Sequence, residues 1–249
     1  MYEVKRAIIL AAGTGKRMRP LTLTTPKPLV EVRGVRMIDT VIDALQKNGI
    51  FEIYIVVGYL REKFRCLKEK YPGIVFIDNP YYDECNNVSS LYVARNHLGS
   101  CVILDGDQII YTPAILDRYF DKSCYCCSWT EGETEEWLLE VKDNTVVHCS
   151  RDGGSGGWQL YSVSFWSEQD GQRLREHLER EFEINKNFGI YWDDVAMFCY
   201  PGEYDLGIRP IERGDVVELD SLEDLALHDD SYEKYLNKKI YDNKKVMGV

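Results

Sequence analysis

The amino-acid sequence predicts an α/β protein: a doubly wound, Rossmann-like mixed sheet with a small antiparallel β extension. Up to residue 122, apolar runs of strand length alternate with segments of helical periodicity, a pattern typical of parallel βαβ units. Beyond it, strand-like runs follow one another directly, which indicates antiparallel strands. We therefore expect one domain over residues 1–240, with halves at 1–122 and 123–240, and a flexible tail at 241–249.

The first half is predicted to alternate strands and helices. Continuous apolar runs predict buried strands, and apolar residues that recur every three or four positions predict helices packed on the sheet. A glycine after the last periodic residue marks the end of a helix, as Gly49 does for the first one. In chain order we expect strands at 6–12, 51–59, 74–80 and 100–110, and helices at 35–50, 60–73 and 87–99.

The second half is predicted to be richer in strands. The segment 136–150 is expected to fold back as a hairpin at Asp143–Asn144, a dipeptide that suits a tight turn. The other expected strands lie at 124–131, 158–166, 204–211 and 216–220. The expected helices lie at 170–187, 190–200 and 221–240, and the last of them closes the domain.

Composition excludes several classes of protein. With a formal net charge of −11 over 249 residues, the chain is not expected to bind nucleic acid or an anionic membrane surface. No apolar run approaches the ~20 residues that span a bilayer, so neither membrane insertion nor a signal peptide is expected. The eight cysteines lack a second CxxC pair, so we expect reduced thiols in a cytoplasmic protein rather than a metal–thiolate site.

A glycine-rich, cationic loop follows the first strand, in the segment AAGTGKRMRPLTLTTPKPLV at 11–30. Gly13 and Gly15 let backbone N–H groups approach a phosphate closely. Arg17 and Lys27 bring positive charge, and three prolines stiffen the chain around them. We therefore expect the loop to bind a triphosphate, the alternative being a solvated basic connection.

Two widespread phosphate-binding motifs do not fit this loop. The dinucleotide fingerprint GxGxxG has Met18 in place of its third glycine, and the second strand ends without an acidic residue for a ribose. The GxxxxGK[ST] loop has Leu10 in place of its first glycine and Arg17 in place of its hydroxyl. The loop therefore belongs to neither class.

Aspartates stand where predicted strands end. Asp105 and Asp107 follow the run CVIL, and Asp220 follows VVEL just before a helix. Ligands of open α/β sheets bind at the carboxyl ends of the strands, so carboxylates there, opposite a cationic loop, suit Mg²⁺ on a nucleotide. The structural alternatives are a turn at Asp-Gly-Asp and a helix cap at Asp220, and a cap does not exclude a metal role.

Two further groups of side chains can recognise small molecules. The segment NNVSS at 86–90 supplies amide and hydroxyl groups for reading a base, or simply caps a helix. In the second half, YWDD at 191–194 and Trp137 beside two glutamates combine rings with carboxylates. Such a composition suits a cationic head group, although tryptophans on strands usually belong to the core.

The opening loop resembles the signature of the sugar-nucleotidyltransferase superfamily. The segments VVGYLREKF, NNVSSLYVA, EWLLEV, SVSFW, YWDD and ELDSLEDL extend the resemblance along almost the whole chain to the bacterial CTP:phosphocholine cytidylyltransferases. The resemblance implies a nucleotidyltransferase fold with a nucleotide-binding half at 1–122 and an acceptor-binding half at 123–240. It implies transfer of CMP from CTP to phosphocholine, giving CDP-choline and pyrophosphate, by Mg²⁺-assisted in-line attack of the acceptor phosphate on the α-phosphorus.

The resemblance also implies roles for individual residues. Lys27 is expected between the α-phosphate and the acceptor, Arg17 on the departing pyrophosphate, and Asp107 and Asp220 on Mg²⁺. Nucleotide contacts are expected from Leu10, Ala11, Ala12, Gly13, Thr14, Gly15, Lys16, Gly58, Tyr59, Asn86, Asn87, Ser89, Ser90 and Asp105. Acceptor contacts are expected from Trp137, Tyr191, Trp192 and Asp193.

The sequence leaves the acceptor and the assembly open. 2-Aminoethylphosphonate and phosphoethanolamine are alternatives to phosphocholine, because one aromatic and acidic pocket can be adapted to each. A sugar 1-phosphate is less favoured, since the usual Glu-Lys-Pro is missing at 148–159, where GGSGG is expected to form a mobile loop at the entrance or a plain hairpin tip. Arg17, Lys27, Asp107 and Asp220 together disfavour an inactive nucleotide-binding regulator. A homodimer and a larger fusion protein both remain open.

Overall fold

The structure, a computed structural model, describes residues 1–236, so the predicted tail at 241–249 and the end of the predicted closing helix lie outside the described residues. The strands are β1 (Tyr2–Glu3), β2 (Arg6–Ala11), β3 (Glu31–Val32), β4 (Val35–Arg36), β5 (Glu52–Val57), β6 (Val75–Asp78), β7 (Cys101–Asp105), β8 (Gln108–Ile110), β9 (Tyr119–Phe120), β10 (Cys124–Thr130), β11 (Leu138–Lys142), β12 (Thr145–Ser150), β13 (Gly157–Trp166), β14 (Gly207–Pro210) and β15 (Val216–Glu218). The α-helices are α1 (Met37–Lys47), α2 (Leu67–Lys70), α3 (Val88–Ala94), α4 (Glu168–Glu179) and α5 (Leu222–His228).

A nine-stranded mixed sheet forms the centre of the fold, with the order β12-β11-β13-β7-β2-β5-β6. Strand β10 also pairs with β13, and β14 pairs with β10. Strands β7, β2, β5 and β6 run parallel, and the connections between them carry α1, α2 and α3. Helix α1 covers one face, while α3 and α4 cover the other. Side chains along β2 alternate between the two faces of the sheet, so Ile9 packs in the core on the α1 side and Ile8 packs in the core on the side of α3 and α4. The predicted doubly wound α/β class is confirmed.

The sheet runs through both predicted halves of the chain. Strand β13 pairs with β7 in antiparallel register, with Val163 opposite Leu104. The predicted hairpin is also present, since β11 and β12 pair and both turn residues, Asp143 and Asn144, have φ angles near +50°. Left-handed backbone at both positions is what a two-residue hairpin turn requires.

Two predicted elements of the first half are corrected. The helix expected at 60–73 is a 3-10 segment, Arg61–Cys66, followed by the short α2. The strand expected at 100–110 is two strands, β7 and β8. The chain turns between them because the Gly106 N–H donates to Leu10 O at 2.8 Å. This turn separates the two aspartates that flank the glycine and directs the chain toward the site.

The helices of the second half are less regular than predicted. Helix α4 begins earlier than expected, because the Ser167 side chain accepts a hydrogen bond from the backbone of Asp170 and caps it. It then passes into a π-helical turn, Arg180–Ile184. The helix expected at 190–200 is likewise a single π-helical turn, Val195–Cys199. π-Helical turns are rare and occur mostly as single turns within helices, as both of these do.

Within residues 1–236, no helix is both long enough and apolar enough to cross a bilayer. All eight cysteines are free thiols, and five of them are buried. The candidate metal-ligand cluster in this part of the chain consists of carboxylates and includes no cysteine.

Candidate active site

A cleft of about 540 Å³ opens at the carboxyl ends of β2 and β7. The glycine-rich loop after β2 forms one wall, and connections from the second half of the chain form the other. The predicted site residues that line it are Leu10, Ala11, Ala12, Gly13, Thr14, Gly15, Lys16, Arg17, Lys27, Asn86, Asn87, Ser90, Asp105, Asp107, Trp137, Tyr191, Asp193 and Asp220. The predicted residues that do not line it are Gly58, Tyr59, Ser89 and Trp192.

The loop after β2 is shaped by Gly15, whose φ of +59° lies in the left-handed region. A Cβ at this position would lie 2.9 Å from Thr22 Cγ2 and 3.1 Å from Lys27 Cβ. The Thr22 hydroxyl also donates a hydrogen bond to Gly15 O at 2.7 Å. The loop and its return segment therefore pack tightly together, and this contact fixes the position at which Lys27 enters the cleft.

Lys27 lies at the centre of the charged groups in the cleft, with only 9% of its side chain exposed. Its Nζ is 2.5 Å from Asp107 Oδ2 and 2.6 Å from Asp220 Oδ1. Arg17 Nη2 contacts the same Asp220 oxygen at 2.9 Å. Burial alone lowers the pKa of Lys27, but the two carboxylates outweigh it and raise that pKa above its ordinary value. Lys27 therefore stays cationic at any physiological pH.

A carboxylate cluster lies beside Lys27. Asp105, Asp107 and Glu218 each offer an oxygen, and these oxygens all lie within 4.8 Å of one another. Burial raises the pKa of Asp105 and of Glu218, and the charge of Asp107 raises both further. Glu218 was missed in the sequence, although the two-residue period of VVELD places it on the same side of the strand as Asp220.

These residues fit a divalent cation by their chemistry. Carboxylate oxygens are the ligands that Mg²⁺ prefers, and a cation relieves the mutual repulsion of clustered carboxylates. Lys27 meets that need in part, because it bridges Asp107 and Asp220, the two residues predicted as metal ligands. The cluster and the lysine together can hold an anionic ligand with its counter-ion.

The polar segment 86–90, which leads into the first turn of α3, contributes three residues to the cleft and one to its support. Asn86, Asn87 and Ser90 line the cleft. Ser89 is buried behind them, where its hydroxyl accepts a hydrogen bond from Asn79 and donates one to Asn86 O at 2.8 Å. We therefore move Ser89 from the predicted contacts to the supporting residues.

Gly58 and Tyr59 also support the wall of the cleft rather than line it. The Tyr59 N–H donates to Ala12 O at 3.1 Å, which ties the end of β5 to the glycine-rich loop. Gly58 packs against Tyr82, whose Cβ would lie only 2.7 Å from a Cβ added at the glycine. Any side chain at Gly58 would displace this ring.

Two of the three rings predicted to contact the acceptor line the cleft. Trp137 and Tyr191 line it and meet edge to face, with ring centroids 5.9 Å apart. Trp192 does not: its side chain is 0% exposed and stacks on Tyr125 in the core below α3 and α4. The assignment of Trp192 to the acceptor pocket is corrected accordingly. Glu136, absent from the predicted contacts, lines the cleft beside Trp137.

Asp193 is a buried carboxylate that lines the cleft. Its Oδ1 is inaccessible to solvent, and the Tyr125 hydroxyl interacts with the carboxylate. Burial raises the pKa of Asp193 to about 7; Tyr125 opposes this rise and Asp194 adds to it. A cationic group entering the cleft would stabilise the charged form of Asp193.

The chain is similar to known enzymes over most of its length. Residues 7–179 match the family model of the MobA-like NTP transferase domain. The chain is 39% identical over 232 residues to 2-aminoethylphosphonate cytidylyltransferase of Lancefieldella rimae, across 92% of this chain and 94% of that protein. It is 33% identical over 219 residues to choline-phosphate cytidylyltransferase of Streptococcus pneumoniae, across 88% and 94%. The solved structure of CTP:phosphocholine cytidylyltransferase from Streptococcus pneumoniae matches with a TM-score of 0.83 at 34% identity, over 89% of this chain and 96% of that chain.

Proposed function

This chain belongs to the MobA-like NTP transferase family and is a nucleotidyltransferase, and from that premise we propose that it transfers CMP from CTP to a small acceptor carrying a phosphonate or phosphate and an ammonium group. The observation that carries the proposal is one cleft with a cationic loop on one wall and the carboxylates of Glu136 and Asp193 on the other. Both relatives named above are cytidylyltransferases, which supports CTP as the donor.

Among such acceptors, we place 2-aminoethylphosphonate first, although the sequence motifs placed phosphocholine first. A primary ammonium donates hydrogen bonds to carboxylates, and Glu136 and Asp193 both line the cleft. A trimethylammonium group donates no conventional hydrogen bond and is held by aromatic faces, of which Trp137 and Tyr191 remain once Trp192 is assigned to the core. The relative at 39% identity is named for the same acceptor, 2-aminoethylphosphonate.

Phosphocholine is the second candidate, and the edge-to-face pair of Trp137 and Tyr191 favours it. The rings and the carboxylates share one side of the cleft, so they can act on either head group. The two head groups differ in which contact contributes more to binding. Loss of a carboxylate should weaken binding of a primary amine most, and loss of a ring should weaken binding of a quaternary amine most.

In the proposed reaction, an oxygen of the acceptor phosphonate attacks the α-phosphorus of CTP in line with the departing pyrophosphate. This oxygen is already an anionic nucleophile, so the reaction needs positioning and charge neutralisation rather than a strong general base. Lys27 neutralises charge at the α-phosphate and the acceptor, and Arg17 does so at the pyrophosphate. Asn86, Asn87 and Ser90 offer donors and acceptors for the cytosine.

We further propose Mg²⁺ as the cofactor, held by Asp107 and Asp220 with Glu218 as a neighbouring carboxylate. When bound, Mg²⁺ would supply positive charge that neutralises the charge developing on the phosphates. Lys27 contacts both proposed ligands in the described structure, so this lysine has to share them or move toward the phosphates when the cation binds.

The test is pyrophosphate release from each of the four nucleoside triphosphates, paired with 2-aminoethylphosphonate, phosphocholine, phosphoethanolamine or glucose 1-phosphate. We expect the highest kcat/KM with CTP and 2-aminoethylphosphonate. Preference for glucose 1-phosphate would refute the cationic acceptor, and a higher kcat/KM for phosphocholine would establish the second candidate instead.

Asp193→Asn supplies the matched variant for the same assay, because it keeps the shape of the side chain and removes its charge. A charge-assisted hydrogen bond contributes about 1.5–3 kcal/mol, so kcat/KM for 2-aminoethylphosphonate should fall roughly 10- to 100-fold. The value for phosphocholine should fall less. Equal losses for both would contradict the proposed hydrogen bond.

A further inference from the structure

The glycine-rich connection between β12 and β13, residues 151–156, has no part in the proposed chemistry. It nevertheless packs against the acceptor wall, the side of the cleft that carries Glu136, Trp137, Tyr191 and Asp193. Gly154 and Thr134 exchange both backbone hydrogen bonds at 2.9 Å. A Cβ at Gly153 would lie 1.9 Å from Thr134 O, so only glycine fits there. The connection is therefore docked on the segment that leads into Glu136 and Trp137.

Arg151, in the same connection, forms an ion pair with Asp194, the second of the two adjacent aspartates. Its Nη2 donates to Asp194 Oδ1 at 2.6 Å, and the Asp194 side chain is only 2% exposed. The other Asp194 oxygen accepts from the Tyr191 N–H at 2.9 Å. Asp194 is thus engaged through both oxygens and does not line the cleft, whereas Asp193 does.

The guanidinium of Arg151 also lies against the rings of the acceptor wall. Its Cζ is 3.9 Å from the centroid of Phe198 and 5.7 Å from that of Trp137. Trp137 in turn meets both Phe198 and Tyr191 edge to face. A planar guanidinium can stack on a ring and pair with a carboxylate at once, which a lysine cannot do.

We propose that Arg151 is a positioning residue for the acceptor: it neutralises Asp194, holds Trp137 and Tyr191 at the mouth of the cleft, and leaves Asp193 to receive the cationic head group. The inference rests on the proposed function for the identity of the ligand. It assigns a task to the glycine-rich connection, which keeps Arg151 and the Trp137 segment in contact.

The kinetic test compares Arg151→Met and Arg151→Lys with wild type, using CTP with 2-aminoethylphosphonate and with phosphocholine. Arg173→Met is the matched control, because Arg173 also pairs with an aspartate, Asp170, and lies over a ring, Tyr204, but neither of these partners lines the cleft. We expect Arg151→Met to raise the KM of the acceptor about tenfold, as for one lost ring or ion contact, with the KM for CTP and kcat within about twofold. The lysine variant should recover part of the loss, and the control should change neither KM.

A second measurement does not depend on activity. In ¹H–¹⁵N spectra of the tryptophan indole groups, the Trp137 resonance is assigned by its absence in Trp137→Phe. Arg151→Met should shift it, and Arg173→Met should not. An unmoved Trp137 resonance, or an unchanged acceptor KM in an active enzyme, overturns the role of Arg151. If wild type uses no ammonium-bearing acceptor, the proposed function fails, while the spectra still decide whether Arg151 positions the ring.

Discussion

Replacing Lys27 by methionine should leave the repulsion between Asp107 and Asp220 at the centre of the cleft uncompensated and thereby lower the free energy of unfolding. Methionine keeps most of the length of the side chain and removes the ammonium that contacts Asp107 and Asp220. The two contact distances of 2.5 and 2.6 Å put those carboxylate oxygens no more than about 5 Å apart. Without Lys27, the two oxygens repel each other at that distance, close to the carboxylates of Asp105 and Glu218.

The magnitude of the effect follows from Coulomb's law. Two like charges about 5 Å apart repel by about 3 kcal/mol at an effective dielectric constant of about 20. Asp107 and Asp220 retain 23% and 29% exposure of their side chains, so we expect a loss of about 2–3 kcal/mol in the free energy of unfolding. For a chain of this size, that corresponds to a decrease in Tm of roughly 4–12 °C.

Thermal unfolding with and without Mg²⁺ is the assay. The cation should restore Tm in Lys27→Met more than it raises Tm in wild type, because in the variant it no longer competes with an ammonium for the same carboxylates. The kcat should remain low, by roughly two to three orders of magnitude, since Mg²⁺ does not replace Lys27 at the phosphates. Equal Tm values for variant and wild type without Mg²⁺, or equal stabilisation of both by it, would refute this reasoning.

Three further outcomes can be measured on the same enzyme. Asp107→Asn should lower the rate roughly a hundredfold or more with folding intact, and near-normal turnover would remove Asp107 from the metal site. Trp137→Ala should raise the acceptor KM about tenfold without changing that for CTP, whereas Trp192→Ala should cost about 3–5 kcal/mol of stability because it empties the core; calorimetry and KM values separate the two. Asp193 has a pKa of about 7 and binds a cation only when charged, so kcat/KM for the acceptor should rise with pH through that value. The same pH profile in Asp193→Asn would assign the rise to the substrate instead.

The side of the cleft formed by the glycine-rich loop could be predicted from the sequence, because the residues that define it lie close together in the chain. The spacing of Gly13, Gly15, Arg17 and Lys27 lies within one loop, and the end of a parallel strand places Asp105 at the edge of the sheet. The structure brings all five to one cleft.

The acceptor wall depends on contacts between distant segments, so the sequence predicted it less well. In YWDD, neighbouring residues diverge: Tyr191 lines the cleft and Trp192 enters the core. The Trp192 N–H donates to Asn87 Oδ1 at 2.9 Å, a bond across 105 positions of sequence that no local pattern encodes. The pairing of Arg151 with Asp194 is hidden in the same way.

The antiparallel pairing of β13 with β7 has a consequence for how acceptor preference can diverge. Asp105 at the end of β7 and Leu160 and Ser162 on β13 all line the cleft, so two strands joined by one ladder of hydrogen bonds support it. The residues that we propose to select the acceptor lie instead on the connections at 131–137 and 186–194. Those connections can change by mutation while the ladder and the donor nucleotide stay fixed, so a new acceptor can be acquired without rebuilding the catalytic frame.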